Sequence, residues 1–409
     1  MPGTPPDGSP VPPGGELPPG SLAELGRRPF GIYVHVPFCA TRCGYCDFNT
    51  YTATELGGGA SRDGYAALAA QEIRFARRVL GTGAPEASTV FFGGGTPTLL
   101  PPGSLAAILD AIRAEFGLAA GAEVTTEANP ESVDLAALEA LRAAGFTRIS
   151  FGMQSAAGHV LAVLDRQHSP GRPQQCVAWA RQAGFEHVSL DLIYGTPGES
   201  AADWEHSVLA ALEAGPDHVS AYALIVEDGT RLAARVGRGE LAPPDDDEIA
   251  DRYLAADELF RARGLSWYEI SNWAAPASPG SACAHNLLYW TGGDWWGAGP
   301  GAHSHVGGTR WWNVRHPAAY AGRVTAGVSP GQAREVLTGA QRRTERILLT
   351  ARLAAGCPAG DLSEAGLAAA AAAVGDGLAD ANALAAGRVV LTSAGRLLAD
   401  AVIRGLTDD

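Results

Sequence analysis

Six short runs of β-branched and aromatic residues recur between Gly31 and Leu224, each followed by a longer Ala- and Leu-rich stretch. This alternation narrows the possible folds more than any other feature of the chain. The runs are Gly31–Val36, Ser88–Phe92, Glu123–Thr126, Arg148–Phe151, His187–Ile193 and His218–Leu224, with helical patterns near 62–80, 103–116, 134–144, 158–165, 173–183 and 201–214. Strands joined through helices of this length pair in parallel with right-handed crossovers. The product is either an open doubly wound sheet or a curved partial barrel, and periodicity alone does not separate the two.

In parallel α/β folds ligands gather at the carboxyl ends of strands, and these strands end in chemically expressive groups. The first runs into Cys39-Ala40-Thr41-Arg42-Cys43-Gly44-Tyr45-Cys46, a CxxxCxxC spacing that offers three thiolates. A [4Fe–4S] cluster held this way keeps one iron open for a small molecule. The competing reading is zinc, but a structural zinc site takes four ligands and there is no second CxxC pair; Cys176, Cys283 and Cys357 are scattered singly. The second strand ends in Gly93-Gly94-Gly95-Thr96-Pro97, where backbone can approach a ligand closely; taken alone, a glycine run is equally a tight turn. Glu127, Gln154, Asp191 and Ala223 follow at later strands and Arg166 in a connection, so a ring of polar groups is expected at one end of the sheet.

The chain has 409 residues, 46% of them hydrophobic, and a formal net charge of −14, enough for two to three domains and a substantial core. An acidic chain makes a poor binder of nucleic acid backbones. The scarcity of cysteine speaks for reduced thiols, not a disulfide scaffold. Residues 1–28 are rich in Pro and Gly, contain no apolar stretch long enough for a signal peptide or membrane span, and read as a disordered leader. Cytoplasmic residence is the corresponding expectation. The run Asp245-Asp246-Asp247-Glu248 reads as the capped start of a helix, not a metal site.

The cysteine spacing, with the glycine loop one strand later, resembles the signature of the radical S-adenosylmethionine (SAM) superfamily. That resemblance implies a partial (β/α)6 barrel, a cluster on Cys39, Cys43 and Cys46 reduced by an electron donor, and SAM contacts at Tyr33, Tyr45, Gly94, Gly95, Thr96, Glu127, Gln154, Arg166, Asp191 and Ala223. From about residue 30 onward the motif order is similar to the oxygen-independent coproporphyrinogen III oxidase group. Its decarboxylase branch carries a further cysteine two residues after the third; here Phe48 holds that position, after Asp47, and CxxxCxxCDF resembles the heme chaperone branch instead. This implies heme as ligand and apo-hemoproteins as acceptors, with peripheral contact possible where acceptors are membrane-bound. Porphyrinogen decarboxylation is the alternative. Cys283-Ala284-His285-Asn286-Leu287-Leu288-Tyr289-Trp290 resembles the HNxxYW element of that branch, which implies a heme contact at His285, although a histidine beside tryptophans is also an ordinary packing residue. The expected division is a leader at 1–28, the barrel at 29–235, an extension carrying HNxxYW at 236–335, and a mainly helical, winged-helix-like domain at 336–409.

Overall fold

The structure is a computed structural model that describes residues 8–53, 55, 61–166 and 168–407. All six expected strands form: β2 (Phe30–Val36), β3 (Ala87–Gly94), β4 (Leu118–Ala128), β5 (Arg148–Gln154), β6 (His187–Tyr194) and β7 (His218–Ala223), preceded by a short β1 (Ser9–Pro10). They pair in parallel in sequence order. Helices Arg62–Leu80, Pro102–Phe116, Leu135–Ala144, Arg172–Gln182, Ala201–Glu213 and Asp246–Ala262 follow them, the last capped by the Asp245 side chain as expected. The fold is α/β, a partial (β/α)6 barrel. Alternation along each strand sorts its side chains. Ile32, Val34, Val90, Phe92, Val124, Ile149, Phe151, Val188, Leu190 and Val219 are fully buried in the main core, while Tyr33, Thr89, Glu123, Thr125, Glu127, Ser150, Ser189 and Asp191 share the other face. The barrel lumen is therefore polar.

Residues 236–335 complete this sheet. The hairpin β8 (Ser266–Glu269) and β9 (Asn272–Ala274) joins β7 antiparallel, and β10 (Asp294–Ala298) lies parallel to β2 on the opposite edge. Beyond β10 the antiparallel strands β11 (His303–Val306), β12 (Thr309–Asn313) and β13 (Gly331–Val336) follow, for thirteen strands in one sheet with β1 outermost.

The expected disordered leader is not what residues 8–28 form. β1 pairs with β13, Leu17 is buried, and the short helix Pro19–Glu24 brings Ser21 Oγ to 2.7 Å from Thr309 Oγ1. Glu24 accepts from both Arg28 (2.6 Å) and Arg342 (2.6 and 2.7 Å). Pro and Gly remove helix and strand periodicity from a sequence without preventing it from being held by partners elsewhere in the chain.

The last seventy residues form a small helical unit around Ile347, Cys357, Val389, Ile403 and Leu406, with a two-stranded wing of Cys357–Pro358 against Arg388–Val389. It docks on the barrel through Arg396, whose guanidinium meets the Asp257 carboxylate at 2.9 Å and lies 4.6 Å from the centre of the Trp267 ring.

Candidate functional site

The cysteine loop leaves the carboxyl end of β2 and is held from three sides. Gly95 and Thr96 donate their backbone N–H groups to Val36 and Phe38 carbonyls (2.8 and 2.7 Å), Gly44 donates to Leu164, and Cys39 donates to Tyr51. A Cβ on Gly95 would stand 2.4 Å from the Phe38 oxygen and 3.0 Å from Cys39 Sγ, so only glycine permits this approach. Gly94 adopts φ 114°, the left-handed half of conformational space that the loop requires.

The third side comes from far along the chain. Asn49 Nδ2 donates to the carbonyls of Pro300 and Arg315, both at 2.9 Å, and its own carbonyl lies 2.9 Å from His35 Nε2. A carbonyl only accepts, so Nε2 carries the proton and Nδ1 accepts from the Tyr33 hydroxyl at 3.0 Å. Burial lowers the His35 pKa to about 4 and keeps this ring neutral. The turn that receives Asn49 is fixed in turn by Glu72, which accepts from Gly299 N–H, Asn313 and Tyr320 at 2.8, 2.8 and 2.6 Å.

Cys39 is buried, and Cys43 and Cys46 are half-buried. Desolvation raises the Cys39 thiol and pushes Cys46 up to about 11. Arg166 Nη1 stands 3.8 Å from Cys43 Sγ, while its Nη2 donates to Gly152 at 2.9 Å. Among the described residues no three Cys, His, Asp or Glu side chains converge on a point that a single ion could occupy. A cubane, by contrast, distributes its protein ligands over separate irons, and three thiols beside a guanidinium suit it.

At the lumen face of the same rim, Glu127 accepts the Gly94 N–H at 3.2 Å, and Ser150 Oγ lies 2.9 Å from both Asp191 oxygens. Burial first, then the nearby Asp191 carboxylate, raises the Glu127 pKa to about 8; burial raises Asp191 as well. Two buried carboxylates with few donors would suit a positively charged ligand, and the ammonium and ribose hydroxyls of SAM would supply charge and donors. The donor set fits that ligand. Strain concentrates here too. Among the described residues only Gln154 (φ 66°) and Asp165 (φ 52°) are non-glycines in the left-handed region, at the bulge ending β5 and immediately before Arg166.

Tyr33, Gly94, Gly95, Thr96, Glu127, Gln154, Arg166 and Asp191 thus sit at or beside one rim with the cysteine loop, as the sequence leads one to expect. Ala223 ends β7, paired with Tyr194, and Tyr45 packs beside a separate small cluster that includes Leu164, Ile193 and Leu224. Sequence reasoning missed His35, Asn49, Glu72 and Ser150. His35 and Ser150 were findable, since strand alternation aligns them with Tyr33 and with Asp191's neighbours on the lumen face; Asn49 and Glu72 act through partners more than 200 residues away and leave no local signal.

His285 packs toward the amino ends of the strands, its ring stacked 6.4 Å from that of Tyr33. It is 1% exposed, and its ring nitrogens stand 2.8 Å from Thr89 Oγ1 and 2.8 Å from the Tyr289 hydroxyl. Desolvation lowers its pKa to about 3. In this conformation both ring nitrogens are engaged by protein hydroxyls. Trp295 and Trp296 belong to β10; a Trp-Trp-Gly-Ala run becomes a strand by pairing with β2, which is tertiary and not local information.

Fold and rim together define a radical SAM protein, and residues 33–211 match the Radical SAM superfamily. The Escherichia coli radical SAM enzyme HemN, a coproporphyrinogen III oxidase, superposes with a TM-score of 0.81 over 95% of this chain and 92% of its own, at 22% identity, which establishes the shared fold. The chain belongs to the HemW family. It is 54% identical over 391 residues to the heme chaperone HemW of Mycobacterium tuberculosis, covering 96% of this chain and 97% of that one, and 36% identical over 278 residues to HemW of Escherichia coli, covering 68% and 70%.

Proposed function

We propose that this chain is a heme chaperone: it binds a [4Fe–4S] cluster through Cys39, Cys43 and Cys46, SAM along the Tyr33, Gly94–Thr96, Glu127, Gln154, Arg166 and Asp191 rim, and heme, which it passes to acceptor hemoproteins. The observation that carries this reading is the 54% identity to a HemW protein over nearly the whole chain, supported by Phe48 standing where the decarboxylase branch has a cysteine. Phe48 is also 62% exposed at the outer face of the cysteine loop, beside an open cavity of about 810 Å3. A bound cluster would supply a redox centre with one iron open to SAM. The chain's own part is to keep the thiols together, place Arg166 beside Cys43, and present Glu127 and Asp191 to a positive ligand. An electron donor for the cluster is part of the proposal, and residence in the cytoplasm fits reduced thiols; among the described residues no helix is long and apolar enough to cross a membrane. Contact with membrane-bound acceptors would then be peripheral.

The test is anaerobic reconstitution with iron and sulfide, followed by heme titration and a coproporphyrinogen III turnover assay on one preparation. Stoichiometric heme binding and transfer to an apo-hemoprotein, without decarboxylation, is the expected result. Decarboxylation without specific heme binding would replace this reading with an oxidase.

A further inference from the structure

The segment that carries His285 closes the barrel at the end opposite the cysteines. Thr89, Gly31 and Arg148 lie in the amino-terminal halves of their paired strands, and Glu123, at the middle of β4, is in register with Thr89. Five residues of strand, roughly 16 Å, separate the Gly31 level from Val36, where the cysteine loop begins. Glu123 receives the Ala284 and His285 backbone N–H groups, each at 3.0 Å, and pairs with Arg148 Nε at 2.9 Å; Arg148 Nη2 donates onward to the Ser281 carbonyl at 2.8 Å. The Glu123 and Arg148 side chains are only 9% and 2% exposed. A second buried carboxylate, Glu269, accepts from Asn272 Nδ2, and the Trp290 and Asn286 side chains lie near enough to favour its charged form.

The histidine and tyrosine of HNxxYW are thereby paired inside the protein. His285 bridges Thr89 and Tyr289, while Asn286 and Trp290 lie beside Glu269. The His285 ring also stacks on Phe91, with centroids 5.2 Å apart, and Tyr289 contacts Trp295 of β10 edge-on at 4.5 Å. A ligand histidine would keep one nitrogen free and facing a cavity. This one is a strut between β3 and the helix Ala284–Trp290.

We propose that Cys283–Trp290 is a stopper for the amino-terminal mouth of the barrel, that Glu123 and Glu269 are its positioning carboxylates, and that heme is bound by groups other than His285. The heme part rests on the chaperone reading; the stopper does not. The experiment compares the reconstituted full chain with His285→Gln, Tyr289→Phe and Glu123→Gln, reading the thermal midpoint and the Soret band and affinity on titration with hemin. All three variants should lower the midpoint by several degrees, while those that fold keep the wild-type Soret position and heme affinity. Tyr289→Phe is the sharpest arm, because it strips the partner from His285 Nε2. A histidine acting as ligand would then bind heme more tightly, and that result overturns the proposal. So does a His285→Gln variant with wild-type stability and lost or shifted heme absorbance. If His285→Gln fails to fold, Tyr289→Phe decides. Wild-type chain that binds no hemin would refute the chaperone reading and leave the stopper to be judged on the thermal midpoints.

Discussion

Glu127 carries the most informative titration in the molecule. With its pKa raised to about 8, the group is largely protonated at neutral pH, and a cationic ligand that needs the carboxylate must expel that proton. SAM affinity should therefore weaken by up to about tenfold per pH unit as the pH falls below 8. Isothermal titration at several pH values checks this, and Glu127→Gln should flatten the profile as well as weaken binding. A second residue-scale prediction concerns Gly95. Its missing Cβ would sit 2.4 Å from the Phe38 oxygen, so Gly95→Ala must displace the cysteine loop, and iron content after reconstitution should fall sharply while the far-ultraviolet circular dichroism is kept. At this scale the sequence makes the cysteine loop and the glycine loop legible through their fixed spacing. It does not reveal the hydroxyls of Thr89 and Tyr289 that flank His285, because only the fold brings Thr89 beside it.

At the scale of elements, the six strand and helix pairs were legible because each strand buries one face under helices and so shows a run of Val, Ile, Leu and Phe. β10 was not, since its Trp-Trp-Gly-Ala segment has no β-branched residue and its state is decided by β2 beside it. The Asn49 clamp is where one element governs another. Asn49→Ala removes two side-chain hydrogen bonds to the Pro300–Arg315 region, which should cost about 1–3 kcal/mol of stability. It should also leave the reconstituted cluster more readily lost to air, measured as faster bleaching of its visible absorbance than in wild type. Glu72→Gln should act in the same direction from one step further away, because Glu72 holds the turn that Asn49 grips.

For the molecule as a whole, residues 8–28 are a strap. They add the outermost strand, bury Leu17 and tie the sheet to the carboxy-terminal unit through Glu24 and Arg342. Deleting residues 1–28 should lower the thermal midpoint and increase binding of an apolar dye, as the β13 edge and the surface under Leu17 become exposed. A truncated chain as stable as the intact one would show that the strap carries no load. Asn49 lies 251 and 266 residues before the carbonyls that hold it. During synthesis the three cysteines thus leave the ribosome long before the third side of their loop can be secured, and a nascent chain that stops short of Pro300 has all three thiols of the loop but lacks the carbonyls that Asn49 grips.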